Sequence, residues 1–239
     1  MSAFSFSDLR IISMQIKGER PLIVILSGAG LSAESGIPTY RNADNNWNRT
    51  DSMDSVDMKH RPQLVFGSIN RRIEAYDQAK PNAAQLALAK LEQEGKLKAI
   101  VTQNIDGLHQ KAGSREVLEL HGSVLRNYCE KCGAFYGRDT ILSTTGVPRC
   151  PACGGDIKPD VVLYEESLDQ DVLARAVHYI RQADLMIIGG TSLVVYPAAG
   201  LVQYFRGRHL VVVNKGQTGS GVGADLTIDG PSGEIFAQL

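Results

Sequence analysis

The feature that most constrains this chain's fold is an uninterrupted apolar run that leads directly into a glycine-rich turn. The run at residues 22–26, L-I-V-I-L, is typical of a strand that is buried on both faces of a parallel sheet. The stretch that follows, residues 27–41, reads S-G-A-G-L-S-A-E-S-G-I-P-T-Y-R. Gly28 and Gly30 allow the backbone to turn sharply, and we expect the small Ala33 to let the next helix pack against the strand.

The spacing of these glycines also fits a turn that places the pyrophosphate of a dinucleotide at the N-terminus of a helix. Many glycine turns bind nothing, so the spacing alone leaves both interpretations open. Ser32, Glu34 and Ser35 crowd the predicted helix start with polar groups, and Arg41 follows soon afterwards. A purely structural turn does not require these groups, and they favour a ligand site.

The charge balance of the 239-residue chain excludes some classes of partner. Its formal net charge is -1, with 25 basic and 26 acidic residues, which argues against broad attraction to nucleic acid or an anionic membrane. Residues 1–20 lack the basic start and apolar core of a signal peptide, and no apolar run is long enough to span a membrane. We therefore expect a cytoplasmic protein with no membrane partner and no direct nucleic-acid binding.

The four cysteines form two C-x-x-C pairs, Cys129 with Cys132 and Cys150 with Cys153, which are separated by 17 residues. This spacing is typical of a zinc ribbon, in which four thiolates surround one ion. Two disulfides or a redox-active pair are the alternatives, but the absence of a signal peptide favours a reducing compartment. We expect one structural zinc ion, because four protein ligands leave no open position for catalysis.

Apolar segments and helical patterns alternate along the chain. The predicted strands are 22–26, 98–102, 117–120, 161–163, 185–188, 209–213 and 226–228, and the predicted helices are 62–79, 82–93, 168–182 and 198–207. Gly95 is expected to end the second of these helices. The alternation predicts an α/β fold with a parallel sheet and right-handed crossovers. A polar loop at 42–61 and the cysteine-containing segment at 125–157 interrupt it.

Polar side chains follow several of the predicted strands, at the edge where ligands gather in an open α/β sheet. The sequence Q-N-I-D-G-L-H follows the strand at 98–102, H-G follows 117–120, and G-G-T-S-L follows 185–188. We therefore expect Gln103, Asn104, Asp106, His121 and Ser192 to meet in one crevice.

One part of the usual dinucleotide site is missing from the sequence. An acidic residue that ends a second strand about 20 residues beyond the glycines normally binds the adenosine ribose. The polar loop occupies that region here. Asn214, directly after the strand at 209–213, is the candidate for this contact.

These motifs resemble those of the sirtuins, a family of NAD-dependent protein lysine deacylases, over about residues 20–235. The matching motifs are G-A-G-x-S-A-E-S-G-I-P, T-Q-N-I-D-G-L-H, the H-G pair, the two C-x-x-C pairs, G-T-S-L-x-V-x-P-A and the asparagine after the next strand. The resemblance implies an inverted Rossmann domain made of residues 1–41, 81–124 and 158–239. It also implies a small lobe, made of a helical insert at 42–80 and the zinc ribbon at 125–157.

The resemblance further implies a reaction in which an acyl group passes from a protein lysine to ADP-ribose and nicotinamide is released. His121 would be the general base on the ribose hydroxyls, which suits an imidazole near neutral pH. Asn104 would position a ribose hydroxyl or a water, and Asp106 with Ile105 would form the nicotinamide pocket. The alternatives are a strand-capping role for His121 and a helix N-cap role for Asp106.

The same resemblance implies which residues bind NAD and the substrate. The NAD-binding positions are Gly28, Ala29, Gly30, Ser32, Ala33, Tyr40, Arg41, Gln103, Asn104, Ile105, Asp106, His121, Gly190, Thr191, Ser192, Asn214 and, for the adenine, Ser232. Val161, Val162 and Tyr164 belong to a segment that pairs, as an added strand, with the backbone of an acylated-lysine protein substrate. A strand that is merely buried is the plainer interpretation of this segment.

The chain departs from the sirtuin pattern at three places. The usual Asp-Phe pair after Ile-Pro is replaced by Thr39 and Tyr40, and a glycine after the substrate segment is replaced by Glu165. Sirtuins that remove acidic acyl groups bind the acyl carboxylate with a Tyr-x-x-Arg pair, which corresponds to Ile69 and Arg72 here. We therefore expect deacetylation to be preferred, with Arg72 partly solvated.

Two other functions stay open at this point. A protein ADP-ribosyltransferase or an NAD glycohydrolase would use the same crevice, because it exposes the ribose carbon to other nucleophiles. A zinc ribbon that binds nucleic acid or protein is the non-enzymatic alternative. The basic residues near the cysteines are dispersed among acidic ones, which disfavours it.

Overall fold

The computed structural model describes residues 22–39, 53–144, 146–216 and 223–239. The interpretations of Tyr40 and Arg41 therefore lie outside the described residues. The described chain forms a parallel sheet with helices on both faces, together with a smaller lobe built around a second sheet. Within these ranges, no helix is both long and apolar enough to cross a membrane.

Two sheets are formed by the strands in the described part of the chain. The strands are β1 (Ile23–Ser27), β2 (Leu97–Thr102), β3 (Val117–Glu119), β4 (Gly122–Cys129), β5 (Phe135–Gly137), β6 (Ile157–Val161), β7 (Leu185–Gly189), β8 (His209–Asn214) and β9 (Leu226–Asp229). The larger sheet has the order β3-β2-β1-β7-β8-β9, and every neighbouring pair in it is parallel. This confirms the predicted α/β class. The strand order reverses beside β1, and Rossmann folds bind their ligands at such a point.

Helices cover both faces of the larger sheet. The α-helices are α1 (Ser55–His60), α2 (Pro62–Gln78), α3 (Ala83–Gln93), α4 (Leu108–Lys111), α5 (Arg138–Leu142), α6 (Gln170–Gln182) and α7 (Ser232–Phe236), and 3₁₀ helices lie at Ala29–Ser35 and Ala198–Tyr204. Leu88 of α3 and Phe236 of α7 pack on one face of the sheet, and Ile180 of α6 packs on the other. Every residue of β1 and β7 is buried, which is why these strands are apolar except for Ser27 at the end of β1, whose hydroxyl is hydrogen-bonded.

Helix α3 begins with a capping box. The Asn82 side chain accepts hydrogen bonds from the backbone N–H groups of Ala84 and Gln85, and the Gln85 side chain accepts one from the backbone N–H of Asn82. Gly95 follows the end of the helix with a φ of 76°. This is the left-handed conformation in which a glycine commonly terminates a helix.

The smaller lobe packs α1, α2 and α5 against an antiparallel sheet of order β5-β4-β6. The strand predicted at 161–163 in the parallel sheet is wrong, because the strand is β6 and it pairs with β4. The sequence does not indicate this strand because it contains Pro159, and proline cannot donate a hydrogen bond to a neighbouring strand. Proline is tolerated here because β6 lies at the edge of its sheet. The prediction of a loop at 42–61 is also wrong in part, because α1 forms at Ser55–His60. Residues 42–52 of that loop lie outside the described ranges. The boundaries given for the lobes stay a prediction.

Candidate active site

The predicted site residues lie at the carboxyl ends of the parallel strands. β1 runs into Gly28, β2 into Gln103, β3 into His121 and β7 into Gly190. Backbone hydrogen bonds join these ends, because the Gln103 N–H donates to the Ser27 carbonyl and the Gly28 N–H to the Gly189 carbonyl, at 3.0 and 3.1 Å. The ends of four strands therefore meet at one edge, as the sequence predicts.

The glycine turn after β1 packs directly against the turn after β7. The backbone N–H of Gly30 donates to the Gly190 carbonyl oxygen at 2.8 Å, and a Cβ atom on Gly30 would lie 2.7 Å from that oxygen. Ala29 is half-buried beside it. The prediction that Ala33 provides the close packing is wrong, because Ala33 is exposed and Gly30 makes the approach instead. The segment forms a 3₁₀ helix that turns Ser32 inwards.

The Ser32 hydroxyl joins three buried side chains. It donates to Asp106 Oδ2 at 2.7 Å and accepts from the side-chain amides of Asn104 and Gln85, each at 3.1 Å. The backbone N–H of Asn104 donates to Thr102 Oγ1 at 3.1 Å, which fixes the start of the loop after β2. Asn104 and Asp106 are thus brought together as predicted, with Gln85 as an unpredicted third partner.

Asp106 bonds to the backbone at the start of helix α4, whose N-cap residue is Gly107, and it contacts Ser32 at the same time. Its Oδ1 accepts from the backbone N–H of Leu108 at 2.9 Å. Burial raises the pKa of Asp106 above the ordinary value, and its two hydrogen bonds offset this only partly. The adjacent Ile105 is buried in the apolar cluster of the smaller lobe. A carboxylate next to an apolar side chain suits a planar ring that carries a hydrogen-bond donor.

His121 presents one ring nitrogen as a base. Its Nδ1 lies 3.0 Å from the backbone carbonyl oxygen of Gln103. A carbonyl only accepts, so Nδ1 carries the hydrogen and Nε2 keeps its lone pair. Burial lowers the pKa of His121, so the ring is uncharged at neutral pH. This contact joins His121, which follows β3, to the backbone directly after β2.

Gln103 links His121 to the turn after β7. Its side-chain amide donates to Thr191 Oγ1 at 3.2 Å, and the same oxygen accepts from the backbone N–H of Leu193 at 3.2 Å. Leu193 has a φ of 53°, a left-handed conformation that is uncommon for a large side chain. Ser192, between them, is half-buried. Strained residues of this kind concentrate at functional sites.

The two residues predicted to contact the adenosine half lie further along the sheet. Asn214 ends β8, and its side-chain amide donates to the Gly216 carbonyl oxygen at 3.2 Å. Ser232 is buried at the start of α7, where the Gly233 N–H donates to Glu34 Oε1 at 2.8 Å. Glu34 belongs to the 3₁₀ helix that follows Gly28, so this bond connects α7 to the segment after the glycine turn.

The predicted substrate segment runs past the catalytic candidate. Val161 is the last residue of β6, and the Val162 N–H donates to the backbone carbonyl of His121 at 3.1 Å. Tyr164 is exposed, and its backbone N–H donates to the Met53 carbonyl at 3.0 Å. The segment is therefore extended between His121 and the start of α1, and only its first residue belongs to a strand.

Ile69 and Arg72 lie on α2, and both are buried. Ile69 packs in the same apolar cluster as Ile105, and Arg72 Nη1 donates to the Tyr76 hydroxyl at 3.3 Å. The expectation of a partly solvated Arg72 is wrong. Residues three apart share one face of a helix, so the turn that buries Ile69 also buries the arginine.

Glu165 occupies a conformation that glycine adopts more readily. Its φ is 72°, in the left-handed region, which costs an L-residue about 1–2 kcal/mol. We expect Glu165→Gly to raise the free energy of unfolding by about 1 kcal/mol, because the strain is relieved although the unfolded chain gains freedom. Chemical denaturation measures the change.

The matched control is Glu165→Ala, which also loses the 3.3 Å hydrogen bond from Ser55 Oγ but keeps a Cβ atom. This variant should gain no stability. Equal stabilisation by the glycine and alanine variants would show that the carboxylate, and not the backbone, is the unfavourable element.

The four cysteines converge in the smaller lobe. All four lie in the described residues as free thiols, so the two-disulfide alternative is not what the structure shows. Their Sγ atoms lie within 4.8 Å of one another, with 3.4 Å between Cys129 and Cys153 and 3.7 Å between Cys132 and Cys150. A tetrahedron with zinc–sulfur bonds of about 2.3 Å has edges of about 3.8 Å. The donor atoms and their spacing therefore fit one zinc ion.

Buried polar contacts beneath the crevice were not predicted. The Ser27 hydroxyl bonds to Thr102 Oγ1 at 2.8 Å and to His109 Nε2 at 3.1 Å, and burial lowers the pKa of His109 to about 4. The N-x-x-Q pattern at Asn82 and Gln85 could have identified a helix start. No pattern connects Gln85 with its second partner, which lies 53 residues earlier in the chain.

Known proteins show the same sequence pattern over most of this chain. The sequence model of the Sir2 family matches residues 28–197. An NAD-dependent protein deacetylase of Clostridium perfringens (strain 13 / Type A) is 52% identical over 230 residues, which cover 91% of this chain and 92% of the relative.

Solved structures share the fold as well. A structure of Sir2 with a p53 peptide and NAD+ has a TM-score of 0.85 and 38% identity, covering 95% of this chain and 94% of its own. A complex of Sir2 with the inhibitor EX-527, 2'-O-acetyl-ADP-ribose and a deacetylated p53 peptide has a TM-score of 0.79 and 40% identity, covering 90% of both chains. With a family match over most of its length and relatives of this similarity, the chain belongs to the Sir2 family, the sirtuins.

Proposed function

We propose that this chain is an NAD-dependent protein deacetylase, which removes acetyl or another short acyl group from protein lysines and forms nicotinamide and O-acyl-ADP-ribose. The Clostridium perfringens relative bears the name of this activity, and one similar structure contains 2'-O-acetyl-ADP-ribose and a deacetylated peptide. The observation in this chain that carries the proposal is the contact of His121 Nδ1 with the Gln103 carbonyl, which leaves Nε2 as the basic nitrogen and holds the ring at the start of the loop of Asn104 and Asp106.

The donor set at the strand ends fits NAD. The turn at Gly28 and Gly30 brings backbone close to a pyrophosphate. Asp106 accepts a carboxamide N–H beside the apolar Ile105, which covers a ring. The adenosine half falls to Asn214, Ser232 and the turn after β7, which contains Gly190, Thr191 and Ser192. NAD, when bound, supplies the ribose that receives the acyl group and nicotinamide as the leaving group.

The side chains around the ribose have distinct tasks. His121 accepts a proton from a ribose hydroxyl at Nε2, and the hydrogen bond from Nδ1 to the Gln103 carbonyl supports the positive charge that the ring then carries. The Asn104 amide donates to Ser32 and so turns its Oδ1 towards acceptance from a hydroxyl or a water. Asp106 is held by Ser32 and Leu108 in one orientation.

The acylated-lysine substrate is expected to pair with the extended segment of Val162 and Tyr164. This segment is bonded to His121 on one side and to the smaller lobe on the other, so it sets the distance between substrate and base. The zinc ion has no part in the reaction and holds the smaller lobe together. A cytoplasmic location and the absence of direct nucleic-acid binding stay predictions.

The test is an assay of acyl-lysine peptides with and without NAD, followed by mass spectrometry. The proposal expects equimolar nicotinamide, deacylated peptide and O-acyl-ADP-ribose. ADP-ribosylated protein would indicate a transferase, and free ADP-ribose without deacylation would indicate a glycohydrolase. Either of these two results would overturn the proposal.

We expect acetyl-lysine to be preferred over succinyl-lysine. Ile69 is apolar and offers no hydroxyl to an acyl carboxylate. The Arg72 guanidinium already donates to the Tyr76 hydroxyl, so Ile69 and Arg72 do not form the hydroxyl and cation pair that would bind the carboxylate. A hydrogen bond to a charged group contributes about 1.5–3 kcal/mol, so its absence costs roughly tenfold or more in specificity. The measurement is the ratio of kcat/KM for acetyl and succinyl forms of one peptide.

Ile69→Tyr should move this ratio towards succinyl, and Ile69→Phe, which adds similar volume without a hydroxyl, should not. The ratio within each variant is independent of how much enzyme is folded, which matters because Ile69 is only 1% exposed. A wild-type preference for succinyl would contradict the prediction. So would identical ratios in the two variants.

A further inference from the structure

Gln85 makes a contact that its place in the capping box does not require. It lies in the first turn of α3 and is completely buried, at 0% exposure. Its Oε1 accepts from the backbone N–H of Asn82 at 2.8 Å, which completes the capping box. Its Nε2 points the other way and donates to Ser32 Oγ at 3.1 Å.

The cap alone does not explain why an amide stands at this position. A capping box needs only a side-chain acceptor at its third helical residue, and glutamate serves as well as glutamine. The Nε2 group is not needed for the cap, and one of its N–H donors bonds to Ser32. The choice of amide over carboxylate therefore points to Ser32.

The hydrogen bonds of Ser32 give this contact a direction. The hydroxyl has one hydrogen, which it donates to Asp106 Oδ2 at 2.7 Å. Its oxygen therefore accepts from Asn104 Nδ2 and Gln85 Nε2. Because the oxygen accepts two hydrogen bonds, the hydroxyl hydrogen is directed to the Asp106 carboxylate.

We propose that Gln85 is a positioning residue of the active site, which orients the Ser32 hydroxyl so that Asn104 is held for the nicotinamide ribose of NAD and Asp106 for the nicotinamide carboxamide. The inference rests on the proposed function, because it assigns a purpose to the arrangement of Asn104 and Asp106. It adds α3, a helix of the sheet domain with no predicted site residue, to the elements that shape the site.

Gln85→Glu separates the two roles of the side chain. The introduced carboxylate still accepts from Asn82, so the capping box is retained, but it cannot donate to Ser32. It also competes with Asp106 for the single hydrogen of Ser32. In mildly alkaline buffer we expect kcat/KM for NAD to fall, and the Kd of NAD measured by calorimetry to rise, each by about tenfold.

The defect should disappear as the pH is lowered. Burial beside Asp106 raises the pKa of the introduced carboxyl group, and once protonated it donates an O–H to Ser32 and replaces the amide. The ratio of variant to wild type at each pH removes the titration of His121, which both proteins share. The other titratable groups on the elements packed against α3 are Glu34, Lys98, His109, Lys111 and Glu234, and none of them is bonded to Gln85 or Ser32 in the described contacts.

Two controls on the same helix isolate the effect. Gln93→Glu makes the same charge change at the exposed end of α3, and Ala89→Gly weakens the helix without touching the hydrogen bonds of Ser32. Both should give wild-type kcat/KM and NAD affinity per folded molecule at every pH, with a lower unfolding temperature for Ala89→Gly.

A Gln85→Glu variant with unchanged NAD affinity and kcat/KM across the pH range would overturn the inference. So would a defect that Ala89→Gly reproduces in full, since that would assign it to helix stability. These results differ from failure of the proposed function, in which the wild-type enzyme itself shows no NAD-dependent deacetylation.

Discussion

His121→Ala is expected to lose turnover by about a hundredfold to ten-thousandfold while it binds NAD with nearly unchanged affinity. The ring is half-buried at the edge of the parallel sheet, and its Nδ1 is occupied by the Gln103 carbonyl, so Nε2 is the nitrogen that can take a proton from a ribose hydroxyl. Alanine removes the base but leaves the loop of Asn104 and Asp106 bonded to Ser32. Steady-state kinetics at saturating NAD and peptide measure the loss, and calorimetry measures NAD affinity.

The pH dependence of the wild-type enzyme provides a second measurement of the same role. Burial lowers the pKa of His121 below the ordinary value for a histidine, so the base is already deprotonated at neutral pH. The rate should therefore be level on the alkaline side of neutrality and should fall only when the pH drops below the folded-state pKa. His121→Ala should lack this acidic limb.

The matched control is His178→Ala, which removes an exposed histidine on α6 that is not a predicted site residue. It should keep the wild-type rate and pH profile. If His121→Ala retained more than about a tenth of the wild-type rate, another group would have to be the base.

The parallel sheet and the location of the site were predictable because both follow from local patterns. Strands buried on both faces are apolar throughout, and the carboxyl ends of parallel strands meet at one edge. Gln103, Asn104, Asp106 and His121 could therefore be placed together before their distances were known. The cysteine cluster was equally predictable, since the spacing of two C-x-x-C pairs is typical of a four-thiolate zinc site.

Contacts between distant parts of the chain were not predictable in this way. Ser32 and Gln85 are 53 residues apart, and each has an ordinary local reason to be polar, as part of a helix start. The place of β6 in the small antiparallel sheet depends on pairing with β4, which no periodicity reports. The prediction for Ala33 was wrong for a different reason. The segment forms a 3₁₀ helix, whose period changes which residue turns inwards.

Backbone strain was predictable at one position and not at another. The replacement of a glycine by Glu165 was visible in the sequence, and the φ of 72° shows that the turn keeps the shape a glycine would give it. The chain therefore retains the local geometry of the substrate segment at a cost in stability. The strained Leu193 at the turn after β7 was not predicted, because its conformation depends on the hydrogen bond of its N–H to Thr191.

Removal of zinc is expected to unfold the smaller lobe and abolish activity together. The ligands Cys129 and Cys132 lie at the turn between β4 and β5, and Cys150 and Cys153 lie before β6, so one ion joins both edges of the antiparallel sheet. Binding of structural zinc contributes about 10–16 kcal/mol in zinc-finger peptides, which is comparable to the stability of a whole domain. β6 leads directly to Val162, which is bonded to the His121 carbonyl, so a loosened lobe also releases the substrate segment.

The experiment compares the wild type, a chelator-treated sample and Cys150→Ala by metal analysis, thermal unfolding and deacetylation rate. The wild type should contain one zinc ion per chain, and the other two samples should show a lower unfolding temperature and a rate that falls in proportion to the folded fraction. Ser143→Ala, an exposed substitution just after α5 in the same lobe, should leave metal content, stability and rate unchanged. Four thiolates complete the coordination of zinc and leave no position for a reacting water. A metal-free protein that stayed fully folded yet inactive, and recovered at once when zinc was added, would instead assign the ion to the chemistry.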